Sequence, residues 1–310
     1  MKNAINFYYN LKPENINNYN NYYYFYYNKY LYVLLLYNED LKYINDIYNL
    51  NVSLLSLNIP IHQIIINKNN SIISLINNNY YILYKILIKN YNRKINIKDI
   101  NYLNSIIITN NIDNNWDYLW STKVDYLEYQ INQSGKKYPL IVESFSYFVG
   151  LTENAISYAK NTTLELKKDY NNIGVITHKK LNINDTLFNL YDPLNITIDY
   201  KIRDLAEYIK NSFFEDNFNI LNELNYYFKK NYLSIYLIRL LFARILYPSF
   251  YFNLYDDIIS NKKEEKELLK ITSRINEYEQ YLYEIYLYLK KIYNIPEVEW
   301  LKKRRFNPPH

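Results

Sequence analysis

The sequence predicts an α+β chain of two lobes, a small antiparallel β lobe followed by a larger, mainly helical one, and three observations predict it. Up to about Lys98 the apolar residues come in short β-branched and aromatic runs separated by Asn clusters. From about Asp113 they recur instead at three- and four-residue steps. Between helical segments, a strand-like interlude from Ile173 to Tyr200 carries the residues richest in chemistry. With 310 residues and 49% apolar content, the chain has material for one large domain or two modest lobes. Residues 1–98 are expected to form the first lobe and 99–310 the second.

In the first lobe the expected strands are "YYYFYY", "YLYVLLLY", "IHQIIIN", "SIISLI" and "YYILYKILI". No glycine precedes Gly135, so Asn must make the turns, since its short polar side chain tolerates left-handed backbone better than other residues do. In the second lobe Trp116, Leu119, Trp120, Val124 and Leu127 mark the inner face of a first helix. Gly150 reads as a C-cap, with Thr152 opening a new helix that carries Ala155, Ile156 and Ala159. After the interlude, "RDLAEYIKNSFF" is a helix with Asp204 near its start and Leu205, Ile209 and Phe213 facing inward. Leu233 to Tyr247 is apolar on nearly every side, hence buried, and Pro248 ends it. "KKEEKELLKITSRINEYEQYLYEIYLYLKKIY" reads as one long amphipathic packing helix.

Several function classes are excluded or disfavoured by composition. There is no cysteine, hence no disulfide framework, thiolate metal site or Cys nucleophile. The 36 basic and 31 acidic residues are interspersed, which gives no nucleic-acid stripe; "LKKRRF" from Leu301 to Phe306 reads as a solvated tail. Histidines 62, 178 and 310 lie in separate regions and make no metal cluster. The start lacks a secretory apolar run, and the longest apolar runs fall far short of the ~20 residues of a spanning helix, so a soluble, intracellular chain without membrane insertion is expected. The 41 tyrosines, with abundant Asn, Ile and Lys, are what AT-rich coding imposes, and runs such as "NINNYNNYYYFYYN" read as tolerant polar loop.

The interlude holds His178 and, on its second strand, Ile198-Asp199, followed by Asp204-Leu205-Ala206. A strand-rich first third, a helical remainder and this hairpin describe a bilobal protein-kinase-like fold. The pattern resembles the aminoglycoside-phosphotransferase branch, whose loop runs His-x-Asp-x-x-x-x-Asn before an Ile-Asp strand end and an Asp-Leu-Ala helix. Within that branch the chain is similar to the CotS-like spore-coat group and its YutH family. The segments "WDYLWSTKVDYLE", "IVESFSYFVGLTENAISYA", "IDYKIRDLAEYIKNSFF", "LSIYLIRLLFARILYPSFYF" and "IPEVEWL" carry that resemblance in order, whereas the first hundred residues match only in layout.

The resemblance implies where each part of a phosphoryl-transfer site should lie. The base position, two after His178, is Lys180, and an ammonium takes no proton from an alcohol at neutral pH. The metal-binding Asn position is Asp185, and Asp199 matches the principal metal-ligand aspartate, so these two are weak metal candidates. No glycine loop over phosphates is legible, and no strand lysine is identifiable, with leucine central in "YLYVLLLY" and Lys29 lying just before it. A degenerate site without catalytic residues or cofactor is expected, in which His178 bonds backbone, Asp204 caps its helix and Asp199 pairs with Lys180. Arg203, Arg239 and Arg244 are expected to pair with buried carboxylates such as Asp204 or Glu207. The resemblance implies a pseudokinase made in the mother-cell cytoplasm and deposited in the spore coat beside other coat proteins. The competing expectation is an active small-molecule phosphotransferase using Asp185 or Asp199 as its base.

Overall fold

The computed structural model describes residues 1–19, 22–38, 40–110, 112–166, 173–182 and 184–303. The basic stretch from Arg304 onward and His310 lie outside the described residues. The chain divides into two compact units, Met1–Ile95 with Asn184–Ile196, and Asn96–Ile183 with Thr197–His310.

The first unit opens with α1 (Lys2–Tyr9), then β1 (Asn17–Tyr19), β2 (Tyr22–Tyr27) and β3 (Tyr30–Leu36). After a 3-10 turn come α2 (Ile44–Ser56), β4 (Gln63–Ile65), β5 (Ser74–Ile76) and β6 (Asn79–Lys85). Each of the five expected runs supplies a strand. They form an antiparallel sheet in the order β1-β2-β3-β6-β4, with β5 also on β6. Both faces of this sheet are covered, which is why β3 is apolar throughout and does not alternate. Leu31, Val33, Ile82 and Tyr84 pack with Ile44 and Ile47 of α2. On the other face Phe25, Tyr32, Leu34 and Leu83 pack with Ile5 and Tyr9 of α1. The two helices correct the all-strand reading of this region. Their inward residues do sit at helical spacing, Ile5 and Tyr9, then Ile44, Ile47, Asn51 and Leu54, but the Asn and Tyr between them hide the period.

The tight turns bear out the reading of Asn as the turn residue. In the β2–β3 hairpin, Tyr27 faces Tyr30 across Asn28 and Lys29, both at positive φ (48° and 67°). In the β5–β6 hairpin, Ile76 faces Asn79 across Asn77 and Asn78 at 49° and 64°. A two-residue hairpin loop with two left-handed residues matches the strand twist. Among the described residues every positive-φ position is non-glycine, and all but Lys29 and Asp216 are Asn. Lys29 carries the strain that Asn evades. Left-handed backbone costs a side-chain-bearing residue about 1–2 kcal/mol, partly offset by the extra unfolded-state freedom of glycine. Lys29→Gly is therefore expected to raise stability by about 0.5–1 kcal/mol, read as a higher urea midpoint with an unchanged slope.

The second unit starts with α3 (Ile97–Asn104), opened by a capping box between Asn96 and Asp99, followed by β7 (Ile107–Thr109) and α4 (Trp116–Ser134). Trp116, Trp120, Val124 and Leu127 of α4 are buried as expected, whereas Leu119 faces out. α5 (Pro139–Glu165) runs unbroken through Gly150, contrary to the expected break. A mid-helix glycine costs about 1 kcal/mol, which burial of Phe148, Val149, Leu151 and Ala155 outweighs. Thr152 caps nothing; its hydroxyl donates back to the Phe148 carbonyl at 2.8 Å.

β8 (Gly174–His178) follows, then α6 (Leu187–Leu190) and β9 (Ile196–Tyr200). β7, β8 and β9 form a second, three-stranded sheet. Gly174 permits it: a Cβ there would lie 2.5 Å from the Thr109 methyl and 2.8 Å from Ile112 and Ile198. α6 belongs to the first unit, where His62 holds it. The His62 N–H donates to the Tyr191 carbonyl at 3.0 Å, and its Nε2–H to the Phe188 carbonyl at 2.9 Å. Burial pulls the His62 pKa down to about 4, so the ring is neutral.

The remaining helices are α7 (Ile202–Phe214), α8 (Ile220–Lys230), α9 (Ile235–Leu246), α10 (Ser249–Ile259), α11 (Leu269–Thr272), α12 (Ile275–Tyr293) and α13 (Glu299–Lys303). Every residue of α9 from Tyr236 to Leu246 is buried, and the helix stops before Pro248, as expected. The long helix expected over 262–293 is instead a loop, a 3-10 turn at Glu265–Leu268, α11 and α12. Its first six residues offer no apolar side chain to bury, so tertiary packing cannot hold them helical. Among the described residues no single helix is long and apolar enough to cross a membrane.

Candidate functional site

The end of β8, the end of β9 and the first turn of α7 converge in the second unit, because the two strands are sheet neighbours and α7 starts two residues after β9. His178 and Asp204 meet there, both side chains essentially without solvent contact. The His178 N–H donates to Asp204 Oδ1 at 3.0 Å, and His178 Nδ1 lies 2.6 Å from Asp204 Oδ2. Asp204 sits in the first turn of α7, where the helix dipole favours a carboxylate. It does not cap the helix as expected: Lys201 holds the N-cap position without a side-chain cap, and both Asp204 oxygens face His178.

Asp199 is nearly as deeply buried. Its Oδ1 accepts from Asn114 Nδ2 and from the Tyr200 N–H, each at 2.7 Å. Its Oδ2 accepts from the Trp116 indole N–H at 3.2 Å and from an Arg203 guanidinium N–H at 2.6 Å. The cation on Asp199 is therefore Arg203, one helical turn along the chain, and Lys180 is exposed. Arg203 does more than neutralise: its Nε donates to the His178 carbonyl at 2.8 Å and its other arm to the Lys179 carbonyl at 3.2 Å. One planar fork thus ties the carboxylate of β9 to the turn leaving β8, a geometry that a lysine cannot reproduce.

The network continues inward. The Arg244 guanidinium lies over the Trp116 ring, 4.7 Å from its centroid, and pairs with Glu207 at 3.0 Å. Glu207 also accepts from Lys210 at 3.1 Å and from the Ser249 hydroxyl at 2.6 Å. Lys210 reaches the Arg244 and Tyr247 carbonyls as well, at 3.1 and 3.0 Å. Burial alone would raise the Glu207 pKa, but Lys210, Arg244 and the Ser249 hydroxyl outweigh it and hold the carboxyl at about 2. Burial brings Lys210 down to about 8 despite its partner. Arg244 and Arg203 pair with buried carboxylates as expected, Glu207 and Asp199 in turn; Arg239 pairs instead with the exposed Glu165 at 2.8 Å.

Of the four degenerate positions, the structure joins His178 and Asp199 through Arg203. Asp185 belongs to the first unit, where its carbonyl accepts from the Ile95 N–H at 3.2 Å. Among the described residues no group of three or more His, Asp or Glu is arranged to hold a metal ion. Asn114, Trp116 and Ser249 were not legible as network members, since each partner lies more than thirty residues away; Lys210 stands three residues after Glu207, a helical spacing that could have flagged the pair.

A β-sheet unit, a helical unit and a carboxylate at the end of β9 define a kinase-like phosphotransferase fold. An aminoglycoside phosphotransferase from Alicyclobacillus acidocaldarius is similar over 94% of this chain and 97% of its own, with a TM-score of 0.63 and 9% identity. A spectinomycin phosphotransferase in its AMP-bound complex is similar over 100% and 98%, with a TM-score of 0.54 and 12% identity. At these identities the likeness is one of fold alone. The chain belongs to the YutH family of spore coat proteins: the family model described as "Spore coat putative kinase YutH" matches residues 2–285. The endospore coat-associated protein YutH of Bacillus subtilis is 28% identical over 212 residues, and the chain covers 61% of that relative's length.

Proposed function

We propose that this chain is a catalytically inactive kinase-fold protein that serves as a structural or interaction component of the endospore coat, made in the mother-cell cytoplasm and placed there among other coat proteins. One observation carries the inactive half of this reading: all four donors around Asp199 come from the protein itself. A divalent ion on Oδ2 would have to expel the Arg203 guanidinium and the Trp116 indole N–H, a buried donor costly to leave unpaired. The residues around Asp199 therefore do not fit a metal, and no transfer step is built on one. Lys180 at the base position and the absence of glycine before Gly135 support the same reading. The coat half rests on family membership and on the endospore coat association of the Bacillus subtilis relative.

The test is a thermal shift with millimolar Mg-ATP, expected to leave the melting temperature of the wild type and of Lys180→Asp unchanged. A shift that disappears in Asp199→Ala would favour the competing phosphotransferase, and turnover in Lys180→Asp would mean that the nucleotide site is intact; either result contradicts the reading of a site without nucleotide or metal. For the coat half, a fluorescent fusion should form a ring around the forespore; a signal that stays diffuse in the mother cell contradicts it.

A further inference from the structure

The second unit carries a groove that shares no lining residue with the Asp199 network. Two hollows of about 460 Å³ each adjoin, sharing Tyr138 and Asn261 as a saddle between them. Tyr126 and Tyr129, on the outer face of α4, wall the first and expose more than half of their surface. The loop after α10 walls the second. A continuous trough of this kind suits an elongated ligand more than a compact one.

The charges around it are sorted. Lys123 pairs with Asp256 at 2.9 Å, Lys263 with Asp257 at 3.4 Å, and Lys266 with Glu264. Glu265 accepts from the Ile141 N–H at 3.0 Å. Lys137, lining the first hollow, and Lys262, lining the second, are exposed and have no acidic partner among the described residues. Two uncommitted ammonium groups thus stand at separate points of a rim on which Lys263 and Glu264 are ion-paired and the Glu265 carboxylate is held by a backbone N–H. Exposed tyrosines between them offer large contact area at low entropic cost, the property that enriches Tyr in interfaces.

We propose that this groove docks an extended acidic peptide segment of a partner protein, an aromatic side chain lying on Tyr126 and Tyr129 and carboxylates meeting Lys137 and Lys262. The inference goes beyond the reading of Asp199 and does not depend on it, because the groove shares no residue with that network.

The experiment is fluorescence anisotropy of the full chain with a fluorescein-labelled Glu/Gly peptide of about ten residues, roughly 33 Å when extended, bearing one central Phe. Binding that weakens with salt is expected, about tenfold weaker in Lys137→Glu/Lys262→Glu and clearly weaker in Tyr129→Ala. These side chains are exposed, so unchanged melting temperatures should confirm that both variants fold. Equal binding by the variants, or equal binding of the peptide with Lys in place of Glu, would overturn the proposal. So would an oligogalacturonate binding as tightly as the peptide, which would assign the groove to acidic glycans.

Discussion

Glu207→Gln is expected to destabilise the second unit by about 3–5 kcal/mol, a fall in melting temperature of about 10 °C for a unit of this size. The carboxylate is the shared counter-ion of Lys210 and Arg244, both buried. Gln keeps the shape and one acceptor oxygen, but it adds an N–H₂ among three donors and leaves two cations out of water without their anion. Breaking such a cluster costs more than forming it yields, because the surviving charges stay desolvated.

The pH dependence separates this cause from simple misfit. Glu207 is held at about 2 in the fold, below its ordinary range near 4.5, so its contribution is complete above about pH 4.5 and is lost as pH falls toward 2. That acid limb should vanish in Glu207→Gln. Lys210 behaves oppositely. Its folded pKa of about 8 lies below the ordinary lysine value, so the penalty for burying its charge is relieved as pH rises through that range. Removing Glu207 takes away the attraction that keeps Lys210 protonated, and the variant should fold with a neutral amine. Its stability should then climb as pH is raised across neutrality, where the wild type is flat. Urea titrations at several pH values read both limbs, and a variant with the wild-type profile displaced uniformly would contradict the assignment.

What the sequence revealed follows from which contacts are local. The strands of the first unit were visible because β-branched and aromatic runs need no distant partner to be recognised, and the Asn-Asn and Asn-Lys turns lie between them in the chain. α1 and α2 were hidden because their inward residues are few and their outward residues are the same Asn and Tyr that fill the loops. Gly150 misled because glycine near a helix end and glycine inside a buried helix look alike until the neighbouring helices are in place. In the site, His178, Asp199 and Asp204 were located by the resemblance of their motifs to the phosphotransferase loop. The identity of the cation on Asp199 was misread, although Arg203 stands at the i+4 position. β9 ends and α7 begins between the two residues, and only the close junction at Lys201 turns that spacing into contact.

Asp199→Asn is expected to cost about 2–4 kcal/mol, and the loss should be the same with and without magnesium. The carboxylate offers two oxygens to four donors; the amide offers one oxygen and turns an N–H₂ toward either the Asn114 and Tyr200 donors or the Trp116 and Arg203 donors. Donor then faces donor in a buried place, and the Arg203 guanidinium, about one-fifth exposed, regains only part of its lost hydration. An open metal ligand would respond in the opposite way, since neutralising a carboxylate that lacks an internal cation relieves a buried charge and leaves the metal-free protein as stable or more so. A double-mutant cycle with Arg203→Met closes the argument. If the guanidinium is the resident counter-ion, the two substitutions should couple by at least about 1.5 kcal/mol, the double variant being hardly less stable than the worse single one. Additive losses would mean that Arg203 serves the His178 and Lys179 carbonyls alone, and Asp199 would again be available to an ion from solution.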